Sequence, residues 1–240
     1  HYKDQKILLS IDRLDYSKGI IQRLEAFDLF LQENPDYHEK VILFMIVVPS
    51  RDNVPEYQRL KDDIDRIVGN INSHYRKFDW SPIAYFYQSY PIEYLSALYN
   101  LADVCLITPM RDGMNLVCKE FVASKTDQSG VLILSEMAGA SKELYEAILV
   151  NPNDIQAVSL AIKEALEMEL PKQRESMAAM QKILSRFDIF QWVKLFMNQL
   201  DHVKRKQQEL TSRHIDERRG ILIQRKFHQA KKPVILLDYD

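Results

Sequence analysis

Asp112, Gly113 and Asn115 lie in the stretch TPMRDGMNLVCKE (108 to 120), between the apolar run DVCLI and the helical pattern LVCKEFVAS. A charged, flexible Arg-Asp-Gly at the point where a buried strand hands over to a helix asks for a chemical reason. If Asn115 caps a helix that starts at Leu116, the N–H groups of Leu116, Val117 and Cys118 are orphans pointing back toward the strand end, ready for an anion. Gly113 lets the backbone pass close to a ligand with no side chain in the way. Asp112 is aimed into the same cleft, where its carboxylate can accept hydrogen bonds from sugar hydroxyls. Glu120 follows Leu116 by one helical turn and leans toward the helix N-terminus, within reach of a vicinal diol such as a ribose. The alternative is an ordinary turn at Asp112 and Gly113 with Glu120 as a surface acid.

A second chemical stretch is DRLDYSKGI, in which Arg13 and Lys18 flank a loop that ends at a helix start. Two cations beside free helix N–H groups suit a diphosphate. Equally, Lys18 can be a solvated loop residue and Arg13 a partner of Asp15. Neither GxGxxG nor GxxxxGK[ST] is present, which disfavours a dinucleotide cofactor and excludes a P-loop, so no cofactor is expected. Arg51 follows another apolar run and suits a phosphate on a second substrate. Gly139, between two alanines in SEMAGASKEL, permits close backbone approach or helix-to-sheet packing. The six histidines, at 1, 38, 74, 202, 214 and 228, form no pair at ligand spacing, so no metal site is expected in the main domain.

These residues need a frame that gathers strand ends. Short β-branched runs, KILLSID (6–12), VILFMIVV (41–48), IAYFY (83–87), DVCLI (103–107), VLILS (131–135) and AILV (147–150), alternate with helical patterns near 19–33, 54–77, 91–101, 115–125 and 139–145. That alternation predicts an α/β fold, a doubly wound, Rossmann-like parallel sheet covered on both faces. Ligands of such sheets bind outside the carboxyl ends of the strands, where all the stretches above lie. After Pro152 the pattern turns helical, with Asp154 and Asp188 as N-caps and Pro171 at a helix start. We expect a Rossmann-like domain over 1–187, extra connector helices over 188–232, and a strand of a further domain at 233–240.

Bulk properties narrow the function. With 240 residues, 46% hydrophobic and 28% charged, the chain is long enough for a sizeable core. Residues 204–232 hold ten Lys or Arg against three acids, which leaves −9 on the rest of a chain whose net charge is −2. A negative folded domain argues against a nucleic-acid partner, and the basic stretch reads as a solvated helix. Cys105 and Cys118 read as buried thiols of a reducing compartment, the cytoplasm. The longest apolar run is too short to cross a membrane, and HYKDQK has no signal-peptide organisation. The sequence lacks an initiator Met and reads as part of something longer. A homo-oligomer stays open.

Taken in order, SIDRLDYSKGI, DWSPIAYFYQSY, ADVCLITPMRDGMNLVCKEFVA, GVLILSEMAGASKEL and ILVNPND resemble the C-terminal half of the trehalose-6-phosphate synthases, over about residues 1 to 205. The resemblance implies a retaining glycosyltransferase of the GT-B type, built from two facing Rossmann-like domains. The implied reaction moves glucose from UDP-glucose to glucose 6-phosphate. It further implies Arg13 and Lys18 on the UDP diphosphate, Asp112, Gly113, Met114 and Asn115 around the donor glucose, and Leu116, Val117, Cys118, Lys119 and Glu120 at the diphosphate and ribose. Arg51 would hold the acceptor phosphate, and Tyr90 would lie beside the uracil. The family's N-terminal domain would be a partner, so these 240 residues alone are expected to be inactive. KKPVILLDYD resembles the first strand of a haloacid-dehalogenase-type phosphatase, in which Asp238 and Asp240 would act with Mg²⁺. The competing expectations are a non-catalytic regulatory paralogue and an accessory region of a trehalose-phosphate phosphatase.

Overall fold

A computed structural model describes residues 5–51, 53–186, 189–211 and 217–234. Six strands, β1 (Lys6–Arg13), β2 (Val41–Val48), β3 (Ile83–Phe86), β4 (Val104–Ile107), β5 (Val131–Ser135) and β6 (Ile148–Val150), form one sheet. Their order is β3-β2-β1-β4-β5-β6, and every pairing is parallel. This is the doubly wound arrangement expected from the alternation of runs, with the order reversing between β1 and β4.

The pleat splits the core in two. Leu8, Val104, Leu106 and Ile133 face one layer with α1 (Ile20–Glu33), α2 (Pro55–Tyr75) and α5 (Ile155–Glu167). Leu9, Cys105, Ile107 and Leu134 face the other with α3 (Ile92–Leu101), α4 (Leu116–Ser124) and α6 (Leu170–Arg186). Strands buried on both faces must read as near-continuous apolar runs, which is why they were conspicuous in the sequence. Each large side chain sealed in these layers, such as Phe27 or Phe121, contributes roughly 1.5–3 kcal/mol.

Helix ends follow their chemistry. The Asp154 carboxylate accepts from the Ala157 N–H at 2.9 Å, and Pro171 is the second residue of α6. The helix expected at 139–145 is only a 3-10 turn, Gly139–Lys142. The N–H groups of Gly139 and Ala140 donate to the carbonyls of Asp112 and Met114, both at 2.9 Å, which ties the start of the segment to a neighbouring loop.

The chain divides into two compact units after Arg186. The second contains α7 (Ile189–Thr211) and α8 (Glu217–Gln229); within α7, Trp192 stacks on Phe196 with ring centroids 5.3 Å apart. Asp188, Asp238 and Asp240 lie outside the described residues, as do the last six positions of the strand expected at 233–240.

Candidate functional site

The loops that leave β1 and β4 meet at the topological switch point, where a doubly wound sheet opens a crevice between diverging helices. In the first, the Asp15 carboxylate accepts from the Ser17 N–H at 2.9 Å and its hydroxyl at 2.7 Å, closing the 3-10 turn Tyr16–Lys18. Gly19 follows with φ +62°, and a Cβ there would lie 2.5 Å from the Thr108 carbonyl oxygen. Only glycine fits both constraints. The Ser17 carbonyl accepts from the N–H groups of Met110 at 2.8 Å and Arg111 at 3.2 Å, so the two loops are stitched together.

Beneath them lies Arg23, 1% exposed. Its guanidinium donates to Asp12 at 2.6 Å, to Thr108 Oγ1 at 3.0 Å and to the Lys18 carbonyl at 3.0 Å, with Ser10 a further partner. Burial pushes the Asp12 carboxyl upward while Arg23 pulls against it. Both site loops therefore hang from one buried cation.

At the crevice, the Lys18 ammonium and Asp112 carboxylate pair at 2.6 Å, both mostly covered. Lys18 is thus not a solvated loop residue. Asp112 also accepts from the Met114 N–H at 3.2 Å and Asn115 Nδ2 at 3.1 Å, so a turn and an ion pair coexist there. Burial works to raise its carboxyl, but Lys18 and the other donors outweigh burial and hold it below the ordinary carboxylate range. A Cβ on Gly113 would meet nothing within 4 Å, whereas one on Gly139 would lie 2.1 Å from the Gly113 carbonyl oxygen. Gly139 thus provides the close backbone approach, between two loops, and Gly113 presents bare backbone to open space.

Asn115 caps α4, its side-chain amide oxygen Oδ1 accepting from the Cys118 N–H at 3.0 Å. That corrects one expectation, since Cys118 offers no orphan N–H and its side chain is fully buried. Burial raises the Cys118 thiol to about 12, and Cys105 is raised by the same cause. The first-turn donors left for an anion are the N–H groups of Leu116 and Val117. The Lys119 ammonium is turned to Glu143 at 2.6 Å. Glu120 is half-buried, and its carboxylate accepts from the Tyr99 hydroxyl at 2.8 Å.

Arg13 ends β1 exposed, and its guanidinium makes no hydrogen bond or ion pair with the described residues; Asp15 is committed to Ser17 and Tyr57 instead. Arg51, at φ +54°, donates to the Tyr57 hydroxyl at 2.9 Å, and that hydroxyl donates to Asp15 at 3.2 Å. Tyr90 packs edge-on against Phe86 and, with Phe44, Tyr94 and Leu98, lines an apolar cavity of about 240 Å³. Among the described residues no cluster of His, Cys, Asp or Glu can hold a metal, and no helix is long and apolar enough to cross a membrane.

Sequence reasoning missed Arg23, Tyr57 and Tyr99. For Arg23 the signal existed, because it falls on the stripe Ile20, Leu24, Phe27, Leu31 at helical spacing, opposite a strand carrying Asp12. Tyr57 and Tyr99 gave none, since each acts on a residue from another element.

The family model of glycosyltransferase family 20 matches residues 1–202. The bifunctional trehalose-6-phosphate synthase/phosphatase of Thermoproteus tenax is 48% identical over 237 residues, 98% of this chain and 32% of that protein. The UDP-forming alpha,alpha-trehalose-phosphate synthase of Candida albicans is 42% identical over 199 residues, 83% of this chain and 42% of that protein. Among solved structures, a UDP-forming alpha,alpha-trehalose-phosphate synthase from Burkholderia xenovorans in complex with glucose-6-phosphate superposes with a TM-score of 0.80 at 38% identity, covering 82% of this chain and 44% of that one. The chain therefore spans a third to less than half the length of these proteins.

Proposed function

The chain belongs to glycosyltransferase family 20, and from that premise we propose that it forms the donor-binding half of a trehalose-6-phosphate synthase. The complete protein moves glucose from UDP-glucose to glucose 6-phosphate with retention, giving trehalose 6-phosphate and UDP. One observation carries this reading: Arg13, the Lys18–Asp112 pair and the capped start of α4 converge on the loops that flank the β1/β4 switch point. Such a constellation answers a nucleotide sugar, with cations and helix N–H groups for the diphosphate and carboxylates for hydroxyls.

In the proposed reaction Arg13, the Lys18 ammonium and the N–H groups of Leu116 and Val117 stabilise the charge that grows on the departing UDP. Electrostatic help of this kind is usually the largest catalytic term. Asp112, relieved of part of its pairing with Lys18, accepts from the glucose hydroxyls, and the bare backbone from Gly113 to Asn115 lets the sugar lie close. Glu120 takes the ribose diol and Tyr90 the uracil edge. Arg51 holds the acceptor phosphate from the far side of the crevice. A domain supplied by the rest of the protein closes the other wall, and a phosphatase domain follows, as the name of the Thermoproteus relative suggests. Two free buried thiols support the cytoplasm as its place of work.

The test is product analysis with the complete protein. Given UDP-glucose and glucose 6-phosphate, it should release UDP and trehalose 6-phosphate one for one, and Lys18→Ala should lower kcat by about a hundredfold or more. Tight UDP binding without any transfer would instead identify a regulatory member of the family.

A further inference from the structure

The interaction that reaches Glu120 from outside the crevice is the least expected feature of the site. Tyr99 belongs to α3, is 0% exposed, and is fixed edge-on against Phe121 with ring centroids 6.4 Å apart. A buried phenol commonly satisfies its hydroxyl on a backbone carbonyl. This one donates to Glu120 Oε2 at 2.8 Å, while Glu120 Oε1 has no partner among the described residues. We infer that Tyr99 is a positioning residue that sets the preference of the site for a ribonucleotide over a 2′-deoxyribonucleotide, an inference that rests on the donor-site reading above.

A glutamate has three rotatable bonds, and one left free would lose conformational entropy each time it gripped a diol. Anchoring one carboxylate oxygen to a rigid ring removes that loss and fixes the direction in which the other oxygen faces the sugar. The hydroxyl remains a donor at working pH, because burial and the adjacent carboxylate both raise it above the ordinary phenol value. A merely structural Tyr99 would affect every nucleotide alike, whereas a positioning Tyr99 acts on a ligand in proportion to the ribose hydroxyls that it presents to Glu120.

The experiment is calorimetry on the complete protein with UDP and with 2′-deoxy-UDP. Wild type should prefer UDP. Tyr99→Phe, which removes one oxygen and keeps the ring, should weaken UDP roughly five- to tenfold and 2′-deoxy-UDP, which offers Glu120 only its 3′-hydroxyl, by clearly less, so that the preference falls. In a Glu120→Ala background the same substitution should add nothing. Equal weakening of both nucleotides, or no change in either, overturns the inference while leaving the donor site intact. If wild type binds neither nucleotide, the donor-site reading itself fails and takes this inference with it. Should Tyr99→Phe not fold, Glu120→Gln reads the same pair, since its amide oxygen still accepts from Tyr99. It should keep part of the preference that Glu120→Ala abolishes, and equal loss in the two is the contrary result.

Discussion

Lys18 and Asp112 carry the clearest pH prediction at the level of single residues. The folded Asp112 carboxyl lies below its ordinary value, so the ionised form contributes stability above the unfolded value of about 3.9 and loses it as pH falls through the still lower folded value. Urea midpoints of wild type and Asp112→Asn should differ by a constant amount from pH 5 upward and converge below about pH 4. A gap that persists unchanged at pH 3 would mean that the carboxylate does not stabilise the loop through its charge. Arg23→Met leaves Asp12 buried without its partner and should cost about 3–5 kcal/mol in denaturant unfolding. Residues acting within their own segment were legible in advance: Asn115 and Asp154 are short polar side chains just before an apolar period, and both cap. Tyr99 was not, because Glu120, the group that gives it meaning, arrives from another element; Arg23 was legible only as a cation on an apolar stripe, its partners Asp12 and Thr108 lying elsewhere in the chain.

Among elements, the glycines separate fold from function. Gly139→Ala would drive a methyl into the Gly113 carbonyl and should destabilise the protein by about 1–3 kcal/mol, read as a lower urea midpoint. Gly113→Ala meets no protein atom within 4 Å, so stability should hold, and on the proposed reading UDP-glucose affinity should fall while UDP affinity holds, because the new methyl stands where the donor sugar would lie. If both variants lose stability equally, the loop from 112 to 115 is packed more tightly than its geometry indicates. The same contacts anchor the one misjudged element. SKEL has helical periodicity, but the segment closes after a 3-10 turn, Gly139–Lys142, whose first N–H groups donate to the β4 loop.

For the whole molecule, the two-faced burial of six strands made the sheet legible, since short apolar runs such as VILFMIVV alternating with helical patterns are what a parallel sheet covered on both faces requires. Strand order was not written in any single run; it follows from which loops stitch together, above all Ser17 to Met110 and Arg111. That stitching creates the switch point, and the switch point gathers the charges. The central claim is that the donor nucleotide binds there while the acceptor phosphate is held apart by Arg51. Its most direct test is calorimetric titration of the complete protein with UDP in wild type, Arg13→Ala, Glu120→Ala and Arg51→Ala. We predict a loss of about tenfold or more in Arg13→Ala and Glu120→Ala, with Arg51→Ala within about twofold of wild type. An equal loss in all three, or none in any, would contradict it.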